Sequence, residues 1–377
     1  MLPFPTNPVL QTLPVYQPGR PIEEVARELG LRAESILKLA SNENPFGPSR
    51  PAIRAMRKAL RNVHLYPDGN AFYLKQKLAA KLHLTPANLI LGNGSNEILE
   101  LIGHALLSGK SEIRNQKSEI FPPEVVASQY CFAVYPIVTA LFGAKLVVVP
   151  AKQYGHDLEA MLAAITPSTR VIFVANPNNP TGTAVSPDQL SGFIQAVPER
   201  VVVALDEAYI EFMPNPQDLL PEIRQNRKPN LILLRTFSKI YGLAGLRLGY
   251  GLAHPEFIAE LEKVRQPFNV NSLAQAGAFA ALDDHRHVER TRRPTARGRL
   301  FFCKAFSRLG LEFIEPHANF ILVRVGDGQR VFNEMQKLGV IVRPMASYQL
   351  PEFVRITIGR PQDNKRCLIA LKSVLGK

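Results

Sequence analysis

Residues 231–250 read LILLRTFSKIYGLAGLRLGY, and the rest of the chain is best interpreted outward from this stretch. Its four apolar residues at the start indicate a short buried strand. Lys239 follows closely behind that strand, which is a poor position for a solvated amine. An amine partly stripped of water there would be able to form a Schiff base with a carbonyl group.

The same stretch carries groups that suit an anion. Thr236 and Ser238 flank the turn after the strand, Gly242 and Gly245 loosen the following segment, and Arg247 lies eight residues beyond the lysine. Hydroxyl groups and a guanidinium suit a phosphate. A carbonyl-reactive amine beside an anion site suggests pyridoxal phosphate as the cofactor.

Two more apolar runs end in residues that suit this cofactor. Residues 201–205 are followed by Asp206, a buried acid that would need a positive partner such as a protonated pyridine nitrogen. Another run leads into NPNNPTG at 176–182, where Asn179 could bind the ring oxygen together with Tyr209. The alternatives are a helix N-cap for the aspartate and an ordinary Asn/Pro-rich turn for the second motif.

Apolar runs alternate with helical stretches over most of the chain. They lie at residues 89–91, 125–127, 146–149, 171–174, 201–205, 231–234 and 248–252. This pattern predicts an α/β fold with a mostly parallel seven-stranded sheet sandwiched by helices, whose ligands bind at the carboxyl ends of the strands. After residue 268 a long helical region and short strands indicate a smaller α+β domain. We therefore expect an N-terminal arm at 1–35, a large domain at 36–268 and a small C-terminal domain at 269–377.

The first glycine-rich loop, GNGSNE at 92–97, joins a predicted strand to a predicted helix at 98–107. Backbone N–H groups at such a helix N-terminus favour a phosphate. The equally weighted alternative is a simple N-capped helix, with Ser95 or Asn96 as the cap.

Net charge is +13, from 45 basic and 32 acidic residues. The densest basic stretch, HRHVERTRRPTARGR at 285–299, has helical spacing apart from Pro294 and no interleaved aromatic residues. We favour a solvated helix face, on a basic surface that aids capture of small anions, over a nucleic-acid surface.

Composition fits a reducing cytoplasm and indicates neither a metal site nor a disulfide framework. The three cysteines are far apart, the histidines show no metal-ligand spacing, and no apolar run is long enough to span a membrane. Prolines break the N-terminal stretch, so no signal peptide is expected. KSEI occurs at 110–113 and again at 117–120, which we interpret as an exposed insertion without chemistry.

The motifs together resemble those of one enzyme family. They are NPNNPTG at 176–182, DEAY at 206–209 and TFSK at 236–239 with Arg247, supported by YQPG at 16–19, KLASNENPFG at 38–47, YPD at 66–68, GNGSNE at 92–97, AGLRLG at 244–249 and VRITIG at 354–359. The chain resembles the fold type I pyridoxal-phosphate aminotransferases from about residue 10 to 375. Within their class II subgroup it is most similar to the histidinol-phosphate aminotransferase branch.

The resemblance implies a role for each motif residue. Lys239 would hold pyridoxal 5'-phosphate as a Schiff base and act as the catalytic proton carrier. Asp206 would pair with the pyridine nitrogen, and Asn179 and Tyr209 would bind the ring oxygen. The phosphate would be held by Ser95, Asn96, Thr236, Ser238 and Arg247. Phe132 would stack on the ring, with Tyr130 as the alternative.

The substrate side and the assembly are also implied by the resemblance. Tyr16, Asn44, Arg343 and Arg355 are the candidate substrate-binding residues. One pocket must accept the phosphate of one substrate and the carboxylate of the other in turn, so the two arginines are not assigned separately. Tyr66 would reach the cofactor phosphate of a neighbouring subunit, which implies a homodimer.

The implied reaction transfers an amino group between L-histidinol phosphate or imidazole-acetol phosphate and glutamate or 2-oxoglutarate, in L-histidine biosynthesis. A threonine-phosphate decarboxylase and an aromatic amino acid aminotransferase are alternatives with the same cofactor. A cofactor-sensing transcription regulator belongs to another class. It would need a DNA-binding module ahead of the large domain, and only about 35 residues precede that domain.

Overall fold

A computed structural model of the chain describes residues 8–11, 13, 15, 19–108 and 122–377. The duplicated KSEI segments lie outside these residues. The helices are α1 (Ile22–Leu29), α2 (Arg50–Ala59), α3 (Phe72–Leu82), α4 (Ser95–Leu106), α5 (Val134–Leu141), α6 (Leu158–Ala163), α7 (Pro187–Ala196), α8 (Leu220–Arg224), α9 (Pro255–Val264), α10 (Ser272–Ala281), α11 (His285–Leu309), α12 (Gly328–Lys337) and α13 (Pro361–Leu375). The strands are β1 (Leu37–Lys38), β2 (Leu89–Gly92), β3 (Glu124–Ser128), β4 (Lys145–Val149), β5 (Thr169–Ala175), β6 (Val202–Asp206), β7 (Leu231–Thr236), β8 (Gly249–Leu252), β9 (Phe313–Ile314), β10 (Phe320–Arg324), β11 (Val340–Ile341), β12 (Arg343–Pro344) and β13 (Phe353–Thr357).

A seven-stranded sheet forms the larger part of the fold, with strand order β2–β8–β7–β6–β5–β3–β4. Strands β3 to β7 pair in parallel, whereas β8 is antiparallel to both of its neighbours. The predicted mostly parallel seven-stranded sheet is confirmed.

Both faces of this sheet are buried, which explains why its strands are continuously apolar. In β7, Leu231 and Leu233 belong to the hydrophobic core on one face, and Ile232 and Leu234 to the core on the other. All four side chains are fully buried. A polar residue inside such a strand would therefore lack solvent on either side.

Three neighbouring parallel strands end at one edge of the sheet, and they run slightly further than predicted. β5 ends at Ala175, β6 at Asp206 and β7 at Thr236. Backbone pairing continues into the polar residues, since the Asn176 N–H donates to the Asp206 carbonyl at 2.9 Å. This edge therefore presents the functional motifs on paired, well-ordered backbone.

Helix α4 begins at Ser95, three residues before the start predicted at residue 98. Gly94, with φ of 75°, is the N-cap residue. The alternative in which Ser95 or Asn96 caps the helix is therefore wrong. A glycine takes this place because its backbone adopts the left-handed region without steric cost.

The smaller part of the fold contains an antiparallel sheet with strand order β12–β13–β10–β9. Its core includes Phe302 and Phe306 of α11 packed against Ile321 and Val354. Strand β11 is one of the short strands predicted after residue 268, whereas β1 and β12 were not predicted, because a two-residue strand is too short to show alternation.

The predicted domain limits at residues 35 and 268 stay predictions, and the packing suggests a different division. Val25 and Ile36 pack into the core of the small domain, and β1 pairs with β11. Conversely, Ala274 and Ala278 of α10 belong to the core of the large sheet. The long helical region predicted after residue 268 is two helices, α10 and α11, and only α11 contributes to the core around Ile321 and Val354.

Helix α11 carries the basic stretch and continues through Pro294. Its Arg286, Arg290, Arg293 and Arg297 are exposed, whereas intervening residues are buried, as expected for a solvated helix face. Among the residues that the structure describes, none of the helices combines the length and the apolar character that crossing a lipid bilayer would require.

Candidate active site

A cavity of about 380 Å³ lies where β5, β6 and β7 end and α4 begins. Most of the site residues predicted from the sequence line it, namely Ser95, Asn96, Phe132, Asn179, Asp206, Tyr209, Thr236, Ser238, Lys239, Arg247, Arg343 and Arg355. They come from both parts of the fold. The strand topology therefore brings together residues that are up to 260 positions apart in the sequence (Ser95 to Arg355).

Lys239 lies in the turn directly after β7, as its position in the sequence predicted. Its Nζ is 5.5 Å from the centre of the Tyr209 ring. The amine is half-buried among cavity-lining residues, so it can meet a carbonyl group inside the cavity. This is the environment that a Schiff-base lysine needs.

Asp206 ends β6 and is buried. Burial raises the pKa of its carboxyl to about 6, although hydrogen bonds from the Ala208 N–H and the Tyr135 hydroxyl, both at 3.0 Å, and the charge of Lys239 favour the ionised form. A carboxylate so placed would be stabilised by a further cation. The α-helical N-cap that we considered for this residue is not formed, because a short 3₁₀ helix follows instead.

Tyr209 is buried beside this carboxyl, and burial raises the pKa of its phenol. Its oxygen accepts a hydrogen bond from Asn42 Nδ2 at 3.0 Å, and its ring packs edge-on against Phe320 at 5.3 Å. The phenol hydrogen is thereby left to donate into the cavity. Sequence reasoning missed Asn42, which stands 167 positions away from its partner.

Asn179 is oriented by an arginine rather than by its own loop. Arg355 Nη1 donates to Asn179 Oδ1 at 2.6 Å, so the amide NH₂ of Asn179 points away from this contact as a donor. Arg355 Nη2 donates to the Ala40 carbonyl at 3.1 Å, and its guanidinium lies 5.1 Å from the Phe320 ring. The resemblance implied only a substrate role for this arginine, and the structure adds an orienting one.

Arg343 and Arg355 are directly opposite each other across the antiparallel pair β12–β13. Directly opposite side chains lie on the same face of a sheet, and two like charges there are unfavourable. Both residues line the cavity. An anion bound between them would relieve the repulsion, which is consistent with one shared site for a phosphate and a carboxylate.

A second anion site, suited to the cofactor phosphate, lies around Arg247. Its Nη1 donates to Ser238 Oγ at 3.4 Å, and Thr236 Oγ1 accepts from the Ser238 N–H at 3.1 Å. A Cβ on Gly94 would lie 2.6 Å from Arg247 Nη2, so a side chain there would displace the guanidinium. The N-terminus of α4, with its first backbone N–H groups, lies beside Arg247. Together these groups suit a phosphate.

Of the two aromatic candidates for the ring stack, Phe132 lines the cavity and packs edge-on against Tyr135 at 5.8 Å. Tyr130 stacks instead on Tyr154 at 6.0 Å, and it does not belong to the residues that line the cavity. Its backbone carbonyl accepts a hydrogen bond from Asn178 Nδ2 at 2.8 Å. This placement favours Phe132, whose stacking on a cofactor ring stays a prediction.

Three predicted residues are not brought into the cavity. Tyr66 is 83% exposed and stacks on Phe268 at 4.8 Å, away from the cavity in a single chain. Asn44 donates to the Ile240 carbonyl at 2.9 Å and to Thr291 Oγ1 at 3.2 Å, so it braces a loop. Tyr16 lies outside the described residues.

Sequence reasoning missed Tyr135, Tyr348 and Glu43. Tyr135 is the donor to Asp206, while Tyr348 and Glu43 line the cavity. Tyr135 lies in a mostly apolar stretch for which no role was predicted, so its hydroxyl gave the only signal. A buried tyrosine usually finds a hydrogen-bond partner.

The residues of the cavity fit pyridoxal phosphate. The buried carboxyl of Asp206 suits the pyridine nitrogen. The amine of Lys239 suits the aldehyde, and the anion site at Arg247 suits the phosphate. Asn179 and Tyr209 offer donors for a ring oxygen. In the part of the chain described here, no group of three or more histidine, cysteine, aspartate or glutamate residues could hold a metal ion.

The chain is similar to a known family and to named relatives over nearly its whole length. The family described as aminotransferase class I and II matches residues 34–371. The histidinol-phosphate aminotransferase of Akkermansia muciniphila is 49% identical over 373 residues, which cover 99% of each chain. The histidinol-phosphate aminotransferase 2 of Ralstonia nicotianae is 50% identical over 366 residues, covering 96% of this chain and 95% of the relative.

Solved structures give the same picture. The histidinol-phosphate aminotransferase of Sinorhizobium meliloti, in complex with pyridoxal-5'-phosphate, has a TM-score of 0.85 and 29% identity, covering 98% of this chain and 97% of that chain. L-threonine-O-3-phosphate decarboxylase of Porphyromonas gingivalis has a TM-score of 0.79 at 22% identity, covering 91% of this chain and 100% of that chain, which is similarity of fold alone.

Proposed function

The chain belongs to the class I and II aminotransferase family, and from this premise we propose that it is a histidinol-phosphate aminotransferase. It transfers the amino group of glutamate to imidazole-acetol phosphate, giving L-histidinol phosphate and 2-oxoglutarate, in L-histidine biosynthesis. The observation that carries this proposal is the cavity that joins Lys239 and Asp206 to the arginine pair Arg343 and Arg355.

Pyridoxal phosphate, when bound, supplies the electron sink that stabilises a carbanion at the substrate α-carbon. We propose that Arg247, Ser238, Thr236 and the N–H groups at Ser95 and Asn96 bind its phosphate. The close approach of Gly94 to Arg247 supports this assignment.

Lys239 would hold the cofactor covalently. Its Nζ, when it is a free amine, would take the proton from the substrate α-carbon and act as the proton carrier. The half-buried position of the amine next to the Tyr209 ring supports this role, because partial burial disfavours the charged form of an amine.

Asp206 and Asn179 would hold the cofactor ring in place for this transfer. The Asp206 carboxylate is oriented by Tyr135 and Ala208, and it would pair with the pyridine nitrogen. Asn179 is oriented by Arg355, and it would donate to the ring oxygen together with Tyr209. Because Arg355 contacts Asn179, binding of a substrate anion is coupled to the orientation of this donor.

The arginine pair binds the two substrates in turn. Glutamate offers a carboxylate without a phosphate, and histidinol phosphate offers a phosphate without a carboxylate. Both anions suit bidentate guanidinium groups. The position of Arg343 directly opposite Arg355 supports one shared anion site.

We also propose that the enzyme is a homodimer in which Tyr66 reaches the phosphate site of the neighbouring subunit. In the described chain Val63, Leu65, Tyr66 and Phe268 form an exposed apolar patch that another chain could cover. The cytoplasmic location expected from composition stays a prediction.

The function is tested by two half-reactions. The cofactor form of the enzyme should be converted to its amino form by glutamate and returned by imidazole-acetol phosphate. Release of carbon dioxide from O-phosphothreonine, without conversion by glutamate, would establish the decarboxylase instead. Preferred conversion by aromatic amino acids would establish the third alternative.

Lys239→Ala should abolish both half-reactions and the covalent adduct that borohydride fixes, because no other amine is expected at this position. Lys337→Ala removes an exposed lysine of α12 and serves as the matched control, with activity retained. Mass spectrometry of the borohydride-treated proteins measures the adduct. A Lys239→Ala protein that still carries it would overturn the assignment.

A further inference from the structure

Glu43 is an acidic residue in a cavity whose other exposed groups suit anions. It lines the cavity and is exposed, and within the described part of the chain it makes no hydrogen bond or ion pair. The other carboxyl that lines the cavity, Asp206, is buried and already accepts hydrogen bonds from Tyr135 and Ala208. Glu43 is thus a carboxylate with unused acceptor capacity at the substrate site.

The backbone on each side of Glu43 is held firmly. Asn42 donates its N–H to Thr357 Oγ1 at 2.9 Å and its amide to the Tyr209 oxygen, and its carbonyl accepts from Asn319 Nδ2 at 3.0 Å. Asn44 donates to the Ile240 carbonyl and to Thr291 Oγ1.

These bonds tie the segment to both parts of the fold. The position of Glu43 is therefore set by its neighbours, unlike that of an ordinary loop glutamate. Such pre-organisation is what a recognition group requires.

An uncompensated carboxylate in this cavity has an energetic consequence. Glutamate and phosphorylated substrates are anions, and they must bind in a cavity that Glu43 shares with Arg343 and Arg355. Like charges repel in such a confined site. The carboxylate therefore disfavours every substrate that offers it no hydrogen-bond donor.

Resting on the proposed function, we propose that Glu43 is the specificity residue that accepts a hydrogen bond from the imidazole ring of the substrate. Neutral imidazole has one N–H group, and imidazolium has two. The phenyl ring of an aromatic amino acid has none, and glutamate has no ring. Glu43 thus selects the nitrogen heterocycle, while the arginine pair accepts the anion of either substrate.

The pairing predicts a pH signature. Imidazole titrates near pH 6.5, and a neighbouring carboxylate favours the protonated form. As the pH falls from about 8.5 to about 6, the ring gains charge and the pair becomes charge-assisted. The advantage of a carboxylate at position 43 should therefore grow toward low pH.

The test compares Glu43→Gln with the unaltered holoenzyme in single-turnover half-reactions with histidinol phosphate and with glutamate. The ratio of the specificity constants, histidinol phosphate over glutamate, should fall by about 10- to 100-fold in the variant, since a charge-assisted hydrogen bond is lost. This fall should be larger at about pH 6 than at about pH 8.5. Glu43→Asp should recover part of the ratio.

Glu34→Gln is the matched control, because Glu34 is also exposed, lies in the same N-terminal segment and does not line the cavity. Its ratio should equal that of the unaltered enzyme. An unchanged ratio in Glu43→Gln, or a fall that does not depend on pH, would overturn the proposal for Glu43. Failure of the unaltered enzyme to accept histidinol phosphate would instead overturn the proposed function.

Discussion

Asp206 is the residue whose titration should depend most on the cofactor. Burial raises the pKa of its carboxyl from 3.8 to about 6 in the chain alone. A raised folded-state pKa gives a stabilising contribution that is present below about pH 4 and is lost as the pH rises through about 6. The rise of the pKa from 3.8 to about 6 corresponds to about 3 kcal/mol of unfolding free energy.

We therefore predict that cofactor-free enzyme loses up to about 3 kcal/mol relative to Asp206→Asn between about pH 4 and pH 7. Urea unfolding at a series of pH values measures this difference. Adding pyridoxal phosphate should reduce the loss, because a pyridinium cation stabilises the carboxylate. Asp188→Asn, at an exposed position of α7, should show no such trend; a pH-independent difference for Asp206→Asn would contradict the prediction.

The sequence predicted the cavity residues that follow strands but not those that support them. Asp206 and Lys239 were found because each comes at or just after an apolar run, and parallel strands bring such positions to one edge. Tyr135 donates to Asp206 from 71 positions away, and Asn42 donates to Tyr209 from 167 positions away. Local pattern carries no information about such distant partners, so only the folded chain identifies them.

At the scale of elements, β6 and β7 are joined by a buried ion pair behind the cavity. Arg235 Nε donates to Glu207 Oε2 at 2.7 Å, with side chains that are 12% and 2% exposed. Glu207 follows Asp206 directly, and Arg235 precedes Lys239 by four positions. The pair therefore fixes the register of the two strands that present both catalytic side chains.

We predict that Glu207→Gln lowers the free energy of unfolding by about 3 kcal/mol, because it leaves the Arg235 guanidinium buried without its carboxylate. Glu260→Gln is the control, since Glu260 pairs with Lys263 at the surface, where both side chains are more than half exposed. That change should cost less than about 1 kcal/mol. Equal losses in chemical denaturation would show that the strand pair does not depend on this contact.

Short elements were the part of the fold that pattern reasoning missed. β1 and β12 contain two residues each, and their pairing with distant strands defines them. The boundary of α4 was misjudged for a different reason. Its N-cap is Gly94, a glycine with positive φ that makes no side-chain capping bond. The sequence offered only the side chains of Ser95 and Asn96 as caps, which placed the start of the helix too late.

At the scale of the whole molecule, the homodimer proposal makes a prediction about mixed chains. Tyr66→Ala and Lys239→Ala should each be poorly active alone. Mixing them under conditions that exchange subunits should restore activity, because one of the two sites then combines Lys239 with the intact tyrosine of the other chain. Transaminase assays after mixing, with each variant mixed with itself as control, measure the recovery.

No recovery, with subunit exchange established by labelled chains, would mean that Tyr66 does not act across an interface. Recovery would also explain why the tyrosine lies outside the cavity of its own chain, 83% exposed and stacked on Phe268.

The N-terminal segment that carries Asn42 has a consequence for synthesis on the ribosome. Asn42 bonds to Thr357, 315 positions later, and β1 pairs with β11 near the end of the chain. The central sheet can form while translation continues, since domains fold as they emerge. Residues 37–42, however, find these partners only after β11 and β13 have been synthesised. Completion of the substrate site thus waits for β13, and a ribosome that stalls before that strand leaves a folded sheet with an open pocket.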